Sequence, residues 1–365
     1  MTIAYQTWGS LNGDRSNAVL VNHALTGWSD VPGWWPEMVG PGKPLDTDQF
    51  FIVCPNVIGG CQGSTGPASL APDGRRYGSR FPKITIRDMV AAEVAFSDQL
   101  GINQYVLAVG PSMGGMRALE WAVAYPDRVG AIASIGSSAV ATGDQIGTSS
   151  IQIRTIKSDP KFRGGDYYDA RVGDGPHEGM GLARRIAHLT YRCETEMDVR
   201  FGRDLQGDES GRFAVESYLD HQAEKLAHRF DANTYVRLTE AMNSHDVGRA
   251  RGGVSAALGS IQVPVVVVTI DTDRLFPSRL QAELAELTPT AEPPFVVVSP
   301  FGHDGFLVEI DAVGQIIRHS LKVALNSLAT GDVDVLELQN CLKSLFALAF
   351  SSKYSRGART SVRGL

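Results

Sequence analysis

Gly110-Pro111-Ser112-Met113-Gly114 fits G-x-S-x-G, the pattern of a serine set on a sharp strand-to-helix turn. Glycines flank the serine at two residues' distance because such a turn leaves little room for side chains. In a chain with 39 glycines the pentapeptide alone is weak evidence. Its setting is stronger: strand-like Tyr105–Val109 precedes it and a helical run, Met116–Ala124, follows. A nucleophilic serine needs a base to take its proton, and the base needs an acid to orient it. Asp271 and Asp273 lie just past the apolar run Val263–Ile270, and His303 lies just past Phe295–Val298. The order serine, aspartate, histidine, each beyond a strand, is that of an acyl-transfer or hydrolytic triad along one edge of a parallel sheet.

That chemistry also needs donors for a developing oxyanion. The backbone N–H after the nucleophile, that of Met113, is one. The loop His23-Ala24-Leu25-Thr26-Gly27, after the early strand Asn17–Asn22, offers the other, with Leu25 as the expected donor. His23 reads as a brace for this loop. No metal site is expected, because no His/Cys spacing suits zinc. Gly42-Lys43 lacks the flanking residues of a phosphate loop, and no G-x-G-x-x-G follows a strand. Cys54 and Cys61 read as packing residues.

The elements that must position these groups alternate. Strand-like Phe50–Val57 and Val129–Ile135 join the four runs already named, and Ile86–Leu100 has helical spacing that ends at Gly101, a suitable C-cap. The reading is α/β: a mostly parallel sheet flanked by helices. Ser149–Arg251 breaks the rhythm with helical runs Leu182–Tyr191, Ala214–Arg229 and Asp231–Asn243. The expected organisation is a core in two parts, residues 1–148 and 252–330, a helical lid at 149–251, and a tail at 331–365. Strand-like Ile3–Trp8 opens the chain. In the tail Asp332–Phe350 looks amphipathic, and Ser351–Leu365, with Lys353, Arg356, Arg359 and Arg363, reads as a solvated end.

The 365 residues carry 34 Lys+Arg against 40 Asp+Glu, a net charge of −6. That balance argues against a nucleic-acid or membrane-surface partner. No apolar run approaches the roughly 20 residues of a membrane helix, and Met1–Ser10 lacks the regions of a signal peptide. Four cysteines without a CxxC pair make no disulfide framework. A cytoplasmic protein with reduced thiols is expected.

Larger stretches resemble the homoserine O-acetyltransferase family of α/β-hydrolase-fold enzymes. They include His23–Gly27 (HALTG), Asn56–Pro67 (NVIGGCQGSTGP), Phe81–Asp88 (FPKITIRD), Ser112–Trp121 (SMGGMRALEW), Ala183–Arg192 (ARRIAHLTYR), Lys225–Tyr235 (KLAHRFDANTY), Asp273–Pro277 (DRLFP) and Gly302–Val308 (GHDGFLV). The resemblance spans roughly residues 3 to 322. It implies an α/β-hydrolase fold with Ser112 as acyl-accepting nucleophile and His303 as base. Asp273, rather than Asp271, matches the family's acid, which precedes a residue like Arg274. Arg184, or Arg185 beside it, matches the arginine that takes the amino-acid carboxylate, and Asp304 the acid that holds the amine. A zwitterion needs one cation and one anion, and a guanidinium suits a carboxylate. Acetyl-CoA is implied as co-substrate with no bound cofactor, L-homoserine as acceptor, methionine biosynthesis as setting, and a homodimer through the lid. Two residues depart from the family: Pro111 stands where glycine is usual and Trp28 where an acid is usual; the N-terminus is also expected to lack the family's opening strand. The alternatives are a transferase using succinyl-CoA or L-serine, an esterase-type hydrolase, and a non-catalytic binding protein on the same scaffold.

Overall fold

The computed structural model describes residues 1–171, 173–207 and 210–330; the expected tail at 331–365, with its amphipathic run, lies outside them. Seven strands form the main sheet: β1 (Tyr5–Trp8), β2 (Ala18–Val21), β3 (Phe51–Pro55), β4 (Tyr105–Pro111), β5 (Val129–Ile135), β6 (Val265–Ile270) and β7 (Phe295–Val297). Their order across the sheet is β1-β3-β2-β4-β5-β6-β7. β1 pairs antiparallel with β3 at one edge, and every other pairing is parallel.

Every residue of β4 and β5 is buried, because parallel strands are covered on both faces and so read as continuous apolar runs. Alternation sorts the side chains. Val19 and Val21 of β2 pack on the face that carries α8 (Ile310–Thr330), through Val313, Ile317 and Leu321. Ala18 and Leu20 point to the other face, against α1 (Ile86–Leu100) and α2 (Met113–Ala124). α1 begins at a capping box between Thr85 and Asp88 and ends on Gly101 at φ 67°, the left-handed C-cap its sequence suggests.

Between β5 and β6 the described residues add no strand to the main sheet. They form α3 (Gly143–Ser158), α4 (His177–Tyr191), α5 (Glu194–Phe201), α6 (Ala214–Ala227) and α7 (Ala232–Asn243), with shorter turns between. α3 starts from a Thr142–Gln145 capping box, so residue 149 falls inside this helix. Gly143 and Gly147 dilute its pattern, and the cap is the clearer signal. Ile156, Met180, Leu226 and Tyr235 of these helices pack with Leu25, Met113 and Phe276 in one apolar cluster. The helical segment thus sits over the carboxyl ends of the strands. No helix among the described residues is long and apolar enough to cross a membrane.

Candidate active site

β4 runs to Pro111, two residues further than its apolar pattern suggests, and delivers the chain straight into Ser112. Proline is tolerated there because the neighbouring strand β2 has ended at Val21, so a donor is lost only on that side, while β5 still pairs with β4 as far as Ile135. Ser112 itself lies at φ 56°, ψ −122°, a left-handed conformation that costs backbone strain in a residue other than glycine. Its surroundings over-determine it. The Ser112 N–H donates to Ile135 O at 2.8 Å, and its carbonyl accepts from the Ser137 hydroxyl at 2.9 Å. A Cβ at either Gly110 or Gly114 would collide with the Asn22 backbone. The two glycines of the motif are therefore the price of laying β4 and α2 directly on the end of β2. Met113 opens α2, and neither its N–H nor that of Leu25 has a hydrogen-bond partner among the described residues.

The two aspartates after β6 separate cleanly. Asp271 Oδ1 accepts from Ser299 N at 2.9 Å and ties two loops together. Asp273 is buried; its Oδ1 accepts from the N–H groups of Leu275 (2.9 Å) and Phe276 (2.8 Å), which leaves Oδ2 to meet His303 Nδ1 at 2.6 Å. The imidazole is flanked by Phe276, stacked at 5.2 Å, and Phe306, edge-on at 5.4 Å. Burial lowers its basicity, but the Asp273 carboxylate and its hydrogen bond outweigh burial, with Asp304 adding to them. His303 therefore titrates above the ordinary histidine value.

His23 braces the loop that carries Leu25. Its Nδ1 pairs with Ala24 O at 2.8 Å and its Nε2 accepts from Val57 N at 3.2 Å. Burial, aided by the Arg117 cation, pushes it down to about 3, so it stays neutral at physiological pH.

Ser112, His303, Leu25, Arg184 and Asp304 line one cavity of about 180 Å³. Arg184 enters it from α4 with its guanidinium over the Tyr191 ring at 5.2 Å, and its Nε and Nη1 are buried without a hydrogen-bond partner among the described residues. Unpaired buried donors of this kind demand an acceptor. Arg185 turns the other way and pairs with Asp220. Burial raises the Asp304 carboxyl, opposed by His303, Arg184 and Arg192. Trp28, Trp34, Tyr191, Met242 and Arg229 also line it; of these, the sequence marks only Trp28, as a departure from the family pattern. Arg229 stands inside a stretch that carried the family resemblance, but no local pattern assigns it a role. It donates to Thr26 O at 3.1 Å and lies over the Trp28 ring at 5.2 Å. Trp28, the departure from the family pattern, thus has a cation on its face.

The comparisons agree with this fold. The α/β-hydrolase fold profile matches residues 17–310. A homoserine O-acetyltransferase of Thermobifida fusca is 56% identical over 333 residues, covering 87% of this chain and 88% of its own length. The chain belongs to the homoserine O-acetyltransferase family. Another member, from Mycobacterium sp. strain KMS, is 54% identical over 89% of this chain and 90% of its own. Among solved structures, homoserine O-acetyltransferase from Bacillus anthracis superposes with a TM-score of 0.81 at 25% identity, over 87% of this chain and 91% of its own. An acetylester hydrolase from Corynebacterium glutamicum gives a TM-score of 0.77 at 28% identity, over 88% and 90%. The family is one of acyltransferases, and the fold also carries esterases.

Proposed function

We propose that this homoserine O-acetyltransferase family member works by ping-pong acyl transfer from acetyl-CoA to L-homoserine. His303, oriented by Asp273, takes the proton of Ser112, whose Oγ attacks the thioester carbonyl. The N–H groups of Leu25 and Met113 receive the oxyanion. CoA leaves with the proton returned from His303. The L-homoserine hydroxyl then gives its proton to His303 and attacks the acyl-serine, releasing O-acetyl-L-homoserine and restoring Ser112. Arg184 binds the acceptor's carboxylate and Asp304 its ammonium. α3 to α7 act as a lid that disfavours water as the attacking group, and they are the surface through which a homodimer forms. The setting is methionine biosynthesis in the cytoplasm.

The observation that carries this reading is that Arg184, whose Nε and Nη1 have no hydrogen-bond partner among the described residues, lines the Ser112 cavity together with Asp304, the charge pair an amino-acid zwitterion requires. The second reading, an ester hydrolase, is favoured by the likeness to the Corynebacterium hydrolase, since a triad does not itself choose between water and an alcohol. CoA release from acetyl-CoA, followed with and without L-homoserine on wild type and Ser112→Ala, separates them. Release that depends on L-homoserine and vanishes in Ser112→Ala is expected, a loss of about 10⁴-fold or more. Equal release with water alone would replace the transferase reading by the hydrolase one; full activity in Ser112→Ala would overturn both. Succinyl-CoA and L-serine in the same assay test donor and acceptor choice.

A further inference from the structure

Arg192, just past the C-terminal end of α4, is buried yet does not line the Ser112 cavity. Its Nη1 lies 3.6 Å from Asp304 Oδ2. Its Nε donates to Glu196 Oε2 at 3.1 Å, its guanidinium lies over the Phe301 ring at 5.0 Å, and Arg200 reaches the same glutamate at 3.6 Å. The charges thus alternate along one line: Arg200, Glu196, Arg192, Asp304. The backbone is fixed at the same place. Gly302, at φ 61°, packs so closely on Tyr191–Cys193 that a Cβ there would strike Tyr191 O and Cys193 N. The end of α4 therefore sets both the height of the loop that bears His303 and Asp304 and the charge behind Asp304.

We propose that Arg192 is a positioning residue for the acceptor: it aims the Asp304 carboxylate at the cavity and keeps it ionised to receive the substrate ammonium. This rests on the amino-acid acceptor reading above. Burial pushes Asp304 toward its neutral form, and His303, Arg184 and Arg192 oppose it. Of these cations, Arg184 is neutralised once it takes the substrate carboxylate, and His303 changes charge during the reaction. Arg192 stays cationic and, held in place by Glu196 outside the cavity, never turns to the substrate. Because a neutral carboxyl binds an ammonium poorly, Arg192 should govern acceptor binding and leave acylation of Ser112 alone.

The test uses Arg192→Met and Arg192→Lys with three readouts: the burst of CoA release on mixing with acetyl-CoA alone, the KM for L-homoserine, and the preference for L-homoserine over 4-hydroxybutanoate, which has the carboxylate and hydroxyl but no amine. In Arg192→Met the burst should persist. The KM for L-homoserine should rise about tenfold or more, the scale of losing a charge-assisted contact, and the preference over 4-hydroxybutanoate should shrink by a similar factor. Arg192→Lys should recover part of both. An unchanged preference would overturn the proposal, and so would a burst that falls in step with KM, which is what a purely structural role predicts. A wild type that releases CoA without regard to either acceptor would instead bring down the acceptor reading itself.

Discussion

The two walls of the cavity are built on different principles. On the sheet side, backbone holds the reactive groups. Ser112 sits on the β4–α2 turn, Asp273 is pinned by the N–H groups of Leu275 and Phe276, and the oxyanion donors proposed above, Leu25 and Met113, are backbone amides. On the helical side, side chains hold other side chains: Arg192 on Glu196, Arg185 and Arg212 on Asp220, His188 on Tyr218, Arg229 over Trp28. The first arrangement fixes reacting atoms, which tolerate little misplacement. The second can be retuned one residue at a time, which suits recognition. Substitutions on the sheet side should therefore act on rate, and those on the helical side on acceptor binding.

The largest effect expected after loss of Ser112 is that of Asp273→Asn. The asparagine oxygen can still accept from Leu275 and Phe276, so the loop and the thermal midpoint should be little changed. The amide, however, cannot hold the imidazole in the tautomer whose Nε2 accepts the serine proton, and acylation should fall by about 10⁴-fold. The pH profile gives a second reading. His303 must be neutral to act as base, and its value is raised, so kcat/KM should climb through a midpoint above the ordinary histidine value. Without the carboxylate, burial dominates, the imidazole stays neutral to lower pH, and the acid limb of the residual activity should shift to lower pH. An acid limb that does not move in Asp273→Asn would show that another group controls it.

Arg117→Met should damage the sheet side without touching its reacting atoms. Arg117 is fully buried, pairs with Glu93, and donates to His23 O at 3.2 Å. Trp121 Nε1 donates to the other Glu93 oxygen at 2.9 Å. Removing the cation leaves a buried carboxylate without its counter-ion, which costs about 3–5 kcal/mol. Thermal unfolding should show a midpoint lower by several degrees, while KM for L-homoserine, measured well below that midpoint, stays near wild type. A large KM change instead would mean that the sheet side also sets acceptor binding.

This contrast also explains what was legible in the sequence. Groups positioned by backbone announce themselves locally: glycines two residues either side of Ser112, an aspartate and a histidine each just past an apolar run, the Gly101 cap of α1. The extra length of β4 was hidden because Pro111 reads as a strand breaker and becomes harmless only once β2 is known to stop at Val21. The start of α3 was hidden behind its two glycines. The helical wall was less legible still. Arg184 and Asp304 came from family resemblance, and nothing near Arg184 in sequence says that it, rather than Arg185, faces Ser112. That choice is made by the pairing of Arg185 with Asp220, 35 residues away. Arg192 and Arg229 depend in the same way on partners from other elements.

The smallest effect expected is also the one that best tests the boundary between the walls. Arg229 belongs to the helical side, yet it donates to Thr26 O, the carbonyl next to the Leu25 donor. The loop has backbone support as well, since Gly27 N donates to Ala24 O at 2.9 Å. Burial, with Arg184 nearby, lowers the Arg229 value, but an arginine remains charged at physiological pH. Its bond to Thr26 is thus charge-assisted, and losing it should loosen the amide that receives the oxyanion. Arg229→Met should slow the acetyl-CoA burst by about tenfold, the scale of one charge-assisted hydrogen bond, with little change in the thermal midpoint. Arg229→Lys should lose less, because an ammonium can still reach a carbonyl but does not stack on Trp28 as a guanidinium does. If the burst slows, the recognition wall reaches into the chemistry through this one contact. If the burst is unchanged, backbone alone holds this loop, and the division between the walls is sharper than the Arg229–Thr26 contact suggests.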